Sequence, residues 1–227
     1  WQWAEAEEDL RRAISLDPRN ATARQWYGEN LMLNGRIDEA IAEFERAAQI
    51  DPVSPVFPAL HGLALAVAGE ADAAVERVQH AASLDPLAPV AQYMLAGVYL
   101  YVGRAAEALP LLEAAMQTND GVATVSGLLG YAYAVTGQPE RALELLRSID
   151  STNVATGNAA AIARIYVGLR DLSAALDWLD RAADAHDPFF GSEPLASPLF
   201  DPLREDPRFA AIVRKANLDA AVLARPR

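Results

Sequence analysis

Residue types that could carry out chemistry are few in this chain. The three histidines, His61, His80 and His186, are the first candidates for a metal site, but they lie far apart in the sequence. His61 and His80 could approach each other within one pair of helices, yet two imidazoles without a third ligand make a poor metal site. We therefore expect one partly packed histidine, one surface histidine and no bound metal.

Carboxylates and nucleophiles offer no better candidate. Asp201, Glu205 and Asp206 are close in sequence, but Asp201 and Asp206 each precede a proline, where helix capping explains them. The chain has no cysteine, which excludes thiolate catalysis and disulfides. It also lacks the glycine-rich phosphate loop, the serine elbow and the zinc-binding histidine pair of known enzymes. The sequence therefore predicts a protein that is not an enzyme and has no cofactor.

The composition is that of a globular protein with an acidic surface. Of 227 residues, 52% are hydrophobic, and 31 acidic against 19 basic residues give a formal net charge of -12. Such a surface repels phosphate backbones and anionic lipid head groups, so we expect no binding to nucleic acid. The most apolar tract, residues 90–103, is shorter than the ~20 residues that a membrane helix needs. We expect no direct membrane insertion.

Two markers recur with a common period and indicate internal repeats. The prolines of three Asp-Pro pairs are 34 residues apart, at Pro18, Pro52 and Pro86. Glycines keep the same spacing, and an alanine follows each of them five residues later, which gives the pairs Gly35 and Ala40, Gly69 and Ala74, Gly103 and Ala108, Gly137 and Ala142. Because the two markers agree, the period describes a structural unit.

Each period predicts a pair of helices. Residues 22–33 space apolar side chains as a helix does, a turn follows, and residues 39–50 resume the helical spacing until Asp51-Pro52 stops it. Small residues recur where the two helices should cross closely, at Gly28, Gly62, Ala96 and Gly130 on the first helix and at the four alanines above on the second. Larger side chains lie four residues after each alanine, at Phe44, Val78, Leu112 and Leu146.

The pattern resembles the tetratricopeptide repeat family. The best copy reads Tyr27-Gly28-x-x-Leu31, then Ala40-x3-Phe44, then Pro52. The chain departs from the family at Arg24, where tryptophan is usual, at His61, where leucine is usual, and at Arg170, which stands in place of the turn glycine. The resemblance implies an all-α, right-handed solenoid of antiparallel helix pairs with a C-terminal capping segment.

The same spacing sets the expected boundaries. We expect the array to cover residues 1–187, a capping segment rich in proline and phenylalanine to cover 188–218, and a tail to cover 219–227. The array divides into a half repeat and five repeats, at 1–18, 19–52, 53–86, 87–120, 121–153 and 154–187. In the capping segment, Phe189, Phe190, Phe200 and Phe209 cover the last repeat, and Asp206-Pro207 opens a final helix that runs to about Ala216.

The resemblance further implies a concave face lined by the first helices of the pairs. We assign to it nine apolar and aromatic residues, together with Gln25, Glu29 and Val56: Met32, Leu33, Leu63, Val67, Tyr93, Leu100, Tyr101, Tyr131 and Val135. They either bind an apolar segment of a partner protein or pack between neighbouring first helices. Chaperone-binding members of the family grip a C-terminal carboxylate with Lys, Arg and Asn, and the matching positions in the middle repeats have none. We therefore expect no binding of acidic C-terminal peptides.

The capping segment narrows the resemblance. The run Asp201–Phe209 is similar to that of C-terminal arrays in bacterial multidomain signalling proteins, which implies a regulatory or docking module in a larger bacterial protein. The alternative is an accessory subunit permanently held in a larger, membrane-associated complex. We expect a cytoplasmic location, or a periplasmic one if a membrane helix precedes Trp1. Residues 1–18 match a second helix without its first helix, so we expect an upstream domain in the same chain.

Overall fold

The computed structural model describes residues 1–86, 89–118, 123–149, 157–187 and 195–218, and all regular structure in these ranges is helical. The helices, in chain order, are α1 Trp3–Leu16, α2 Ala21–Leu33, α3 Ile37–Ile50, α4 Val56–Ala68, α5 Ala71–Leu84, α6 Pro89–Tyr101, α7 Ala105–Thr118, α8 Ala123–Val135, α9 Pro139–Ser148, α10 Asn158–Gly168, α11 Leu172–Asp184, the 3-10 helix Pro198–Leu203 and α12 Pro207–Lys215. Phe189, Phe190 and the expected tail lie outside the described residues.

Local chemistry explains where the helices start and stop. The Asn20 side chain accepts a hydrogen bond from the backbone N–H of Ala23 at 2.9 Å, which caps the start of α2. Asp171 does the same for α11, with the N–H of Ala174 at 3.0 Å. Asp51, which precedes a proline, leaves the helical conformation at φ -129 and ends α3. Asp-Pro pairs therefore end α1, α3 and α5, and side-chain caps open α2 and α11.

The turn between the two helices of a pair needs a left-handed residue. Four turns use glycine, at Gly35, Gly69, Gly103 and Gly137, with φ between 75 and 89. The backbone N–H of the residue after the glycine then donates to a carbonyl in the last turn of the helix, as that of Arg104 does to Tyr99 at 2.7 Å. In the last turn Arg170 takes the same conformation at φ 66. A non-glycine residue there has a steric cost that the glycines avoid.

The turn geometry predicts opposite effects for two substitutions. Gly103→Ala should lower the free energy of unfolding by about 1 kcal/mol, because it places a Cβ in the left-handed region. Nothing lies within 4 Å of that Cβ, so the backbone alone would cause the loss. Arg170→Gly should raise the same free energy by a similar amount. Urea denaturation of both variants tests this, and a destabilised Arg170→Gly protein would contradict it.

The helices pack as a solenoid of antiparallel pairs. Each pair joins a first helix to the second helix that follows it, α2 with α3, α4 with α5, α6 with α7, α8 with α9, and α10 with α11. The first helices α4, α6, α8 and α10 also contact one another in order, so they form one continuous row. A row of first helices on one side is the arrangement of an α-solenoid.

Small residues set the close approaches within the pairs at Gly28 and Gly62, as the sequence predicts. At Gly130 the prediction is wrong, because a Cβ there would lie 2.5 Å from Ile165 of α10, so its close neighbour is the next first helix and not α9. A Cβ at Gly28 would lie 2.6 Å from the ring of Phe44, and one at Gly62 would lie 3.0 Å from the carbonyl oxygen of Ala74. The four repeat alanines of the second helices, Ala40, Ala74, Ala108 and Ala142, are all 0% exposed. Arg24, in the place of the family's tryptophan, forms an ion pair with Glu43 across α2 and α3 at 2.7 Å.

The C-terminal segment packs on the last pair. Its 3-10 helix contacts α6, α10 and α11, and α12 packs on α11. Leu203 and Phe209 are each 0% exposed. Asp206 caps α12 by accepting the backbone N–H of Arg208 at 2.9 Å. The prediction that Asp201 caps a helix is wrong, because Asp201 lies inside the 3-10 helix and forms an ion pair with Arg204 at 2.8 Å.

The first and last parts of the described chain touch. We call the contact between Trp1, Trp3, His186, Ala216 and Asn217 the end-to-end contact. The Trp3 indole N–H donates to the carbonyl of Ala216 at 2.7 Å, and the Asn217 amide donates to the carbonyl of Trp1 at 3.2 Å. The ring of Trp1 stacks on that of His186 with centroids 5.2 Å apart. The solenoid therefore curves far enough to bring α1 to α12.

Candidate functional site

The first helices surround a cavity of about 240 Å³. All of α2, α4, α6, α8 and α10 contribute side chains, and apolar groups dominate the lining. The lining residues are Gln25, Glu29, Met32, Val56, Leu60, Leu63, Tyr93, Met94, Gly97, Tyr101, Thr124, Leu128 and Arg164. An apolar cavity with a few polar groups is the usual form of a binding site.

The structure gathers some of the residues predicted for the concave face and separates others. Met32, Leu63, Tyr93 and Tyr101 line the cavity, as do Gln25, Glu29 and Val56. The other five predicted residues lie outside its lining: Leu33, Val67, Leu100, Tyr131 and Val135.

These five residues have different environments. Leu33, Val67 and Leu100 are 6%, 2% and 4% exposed and belong to the hydrophobic core. Tyr131 is half-buried, and burial raises its pKa. The nearby charge of Arg170 lowers that pKa, and the charge of Asp201 raises it. Tyr131 is thus near the C-terminal segment. Val135 is 45% exposed at the end of α8.

Sequence reasoning missed part of the lining. Leu60, Met94 and Leu128 occupy one position in successive repeats, 34 residues apart, so the period itself could have found them. Thr124 and Gly97 also line the cavity and are not among the predicted residues. Arg164 falls outside that spacing, and only the packing of α10 places it at the cavity.

Two charged side chains reach the cavity, one from α2 and one from α10, the first helices of the first and last pairs. Glu29, on α2, accepts a hydrogen bond from the Gln25 amide at 2.9 Å. Burial raises the pKa of Glu29, and the Gln25 hydrogen bond offsets part of that rise. Arg164, on α10, is 1% exposed. Burial lowers its pKa to about 10, against the opposing influence of Tyr101 and Asp187.

Asp187 is the buried carboxylate of this region. It is 0% exposed and accepts the backbone N–H of Ala160, in the first turn of α10, at 3.4 Å. An anion at a helix N-terminus is electrostatically favourable. Asp187 therefore stabilises the start of α10 while its charge also acts on Arg164.

The histidines and other chemical groups lie elsewhere. His61 is 7% exposed, and burial lowers its pKa, whereas His80 is exposed on α5. Among the described residues, no group of three or more His, Cys, Asp or Glu side chains is arranged to hold a metal ion. In the same residues, no helix is both long and apolar enough to span a membrane.

Comparison with known proteins agrees with this architecture. Two family models, each described as a tetratricopeptide repeat, match residues 2–55 and 99–161, which together are about half of the chain. No curated protein matches the chain.

Solved structures resemble the chain at low sequence identity. TTC0263, a thermophilic tetratricopeptide repeat protein of Thermus thermophilus, is 21% identical, with a TM-score of 0.59 over 90% of this chain and 100% of that one. YrrB, a tetratricopeptide repeat protein with an unusual peptide-binding site, is 19% identical, with a TM-score of 0.48 over 82% of this chain and 96% of that one. MamA of Desulfovibrio magneticus RS-1 is 23% identical, with a TM-score of 0.49 over 73% and 94%. The similarity to TTC0263 shows a shared fold.

Proposed function

The chain belongs to the tetratricopeptide repeat family, and we propose on this basis that it is a non-catalytic docking module that binds a segment of a partner protein in the cavity between its first helices. The fold and family support a protein interaction module in general. The cavity is the observation that supports this particular binding surface.

The lining of the cavity is suited to an apolar side chain of a partner. Leu60, Met94 and Leu128 form buried walls, 7%, 8% and 5% exposed, while Tyr93 and Tyr101 add aromatic rings. Aromatic side chains in a concave pocket supply much of the binding energy of protein interfaces. A volume of about 240 Å³ is enough for one or two side chains and too small for a folded domain. We therefore expect a short anchor segment.

The proposal also covers the role of this chain within a larger protein. The run Asp201–Phe209 supports a docking or regulatory module in a larger bacterial protein, with an upstream domain in the same chain. We propose a cytoplasmic location for that protein.

The binding proposal predicts a difference between two tyrosines. Tyr93→Ala should weaken a selected peptide about 10- to 30-fold, because it removes an aromatic contact from the cavity. Tyr131→Ala is the matched control, since Tyr131 is also half-buried on a first helix but lies outside the lining. The peptide comes from selection of a displayed library of random linear peptides on the wild-type chain, and its affinity is measured by calorimetry.

Folding must be checked in the same samples. Circular dichroism and thermal unfolding show whether both variants stay helical. Failure to select any peptide would contradict the proposed function. Equal losses for the two variants, with folding unchanged, would contradict the cavity as the site.

A further inference from the structure

Glu29 is an acidic group placed inside an apolar wall. Met32 and Leu63 line the cavity beside it. In the part of the chain that the structure describes, the Gln25 amide is its one hydrogen-bond partner, and the ion pairs there do not include it. A partly buried carboxylate with a single neutral partner gains from a cation that enters the cavity.

An aromatic ring of the cavity lies near the same carboxylate, and a second is its neighbour on α2. Tyr93, from α6, lies close enough that the negative charge of Glu29 adds to the rise that burial causes in its pKa. Trp26 precedes Glu29 by three residues on α2, so the two side chains are neighbours on one side of the helix. The Trp26 side chain is 53% exposed. A cation between a carboxylate and aromatic rings is stabilised by both.

We propose that the end of the cavity at Glu29 binds an arginine or lysine side chain of the partner segment. This proposal rests on the proposed function. The charged head group pairs with the Glu29 carboxylate, and the aliphatic stem packs against Met32 and Leu63. The ring of Tyr93, which lines the cavity, borders the cation. The partner is therefore a segment that carries a basic residue among apolar ones.

The charge distribution favours a basic anchor over an acidic one. The whole chain has a formal net charge of -12, so a basic segment is attracted at long range and an acidic one is repelled. Arg164 is the cation of the cavity, but it is 1% exposed, and the buried carboxylate of Asp187 acts on it. Glu29 is less buried than Arg164 and closer to solvent. The accessible charge of the site is the negative one.

Peptide selection on the wild-type chain and on Glu29→Gln tests the proposal. Glutamine keeps the shape of the side chain and removes its charge. On the wild-type chain, selected peptides should be enriched in arginine or lysine next to apolar residues. The tightest peptide should bind Glu29→Gln about 10- to 100-fold more weakly, as expected for a lost charge-assisted hydrogen bond. Replacing its basic residue with norleucine should weaken binding to the wild-type chain to a similar degree.

A second charge-removing variant, away from the cavity, serves as the control. Glu144→Gln makes the same change of net charge at an exposed position on α9 and should leave the affinity nearly unchanged. The norleucine peptide needs no variant protein, so it remains informative if Glu29→Gln folds poorly. Selected peptides without a basic residue, or a tightest peptide insensitive to both changes, would overturn the basic anchor and leave the proposed function standing. A library that yields no peptide would overturn both.

Discussion

Phe44→Ala should lower the free energy of unfolding by about 3–5 kcal/mol, the usual cost of removing a fully buried phenylalanine ring. Phe44 is 0% exposed, and its ring fills the space that Gly28 leaves on α2. The loss combines the lost burial of the ring with the cavity that remains where α2 and α3 cross. Urea denaturation followed by circular dichroism measures it.

The glycine opposite the ring supplies the control. A Cβ at Gly28 would lie 2.6 Å from Cε1 of Phe44, so Gly28→Ala should destabilise the wild-type chain by overpacking. In the Phe44→Ala background the same methyl group fits into vacated space. The two changes should therefore cost less together than the sum of their separate costs. Strict additivity would show that the two residues are not coupled in the way the structure places them.

Gly127→Leu should cost about 3 kcal/mol, at the upper end of what overpacking usually costs. A Cβ at Gly127 would lie 2.8 Å from Cα of Ala161 and 3.1 Å from its carbonyl oxygen. These are backbone atoms, so no rotation of a side chain can relieve the clash. The helices α8 and α10 would have to separate, and that change would disturb the row of first helices.

A second glycine on the neighbouring first helix shows the effect of a Cβ where there is room for it. A Cβ at Gly97 would meet only Cδ1 of Leu128, at 4.0 Å, which is an ordinary contact. Gly97→Ala should therefore raise the free energy of unfolding by about 0.5–1 kcal/mol, the helix-forming advantage of alanine over glycine. Thermal and urea unfolding of both variants provide the comparison. Similar losses for Gly97→Ala and Gly127→Leu would contradict the close crossing of α8 and α10.

Features that are local in sequence could be predicted from the sequence. The Asp-Pro pairs, the turn glycines and the repeat alanines act within one helix pair, so their spacing predicts the pairs and the solenoid. The turn at Arg170 also lies where the repeat spacing predicts a turn, and its backbone takes the conformation of the glycine it replaces. The boundaries of the array and of the capping segment stay predictions, because residues 150–156 and 188–194 are outside the described ranges.

The candidate site was only partly predictable, because it depends on how tightly the solenoid curves. Curvature is the sum of small rotations between pairs, and no single residue specifies it. Leu33, Val67 and Leu100 lie on first helices as predicted but are in the core, because neighbouring elements cover them. Arg164 reaches the cavity from α10, outside the spacing of the earlier repeats. Whether the predicted residues bind a partner stays a prediction.

The end-to-end contact affects how the molecule gains and loses structure. In a linear repeat array each unit contacts only its neighbours, so the outermost units fray independently. Here the hydrogen bond from Trp3 to Ala216 joins residues 213 positions apart in the chain. That bond forms only when the intervening repeats have already folded with the correct curvature. It raises the contact order, and we expect it to couple the opening of α1 to the opening of α12.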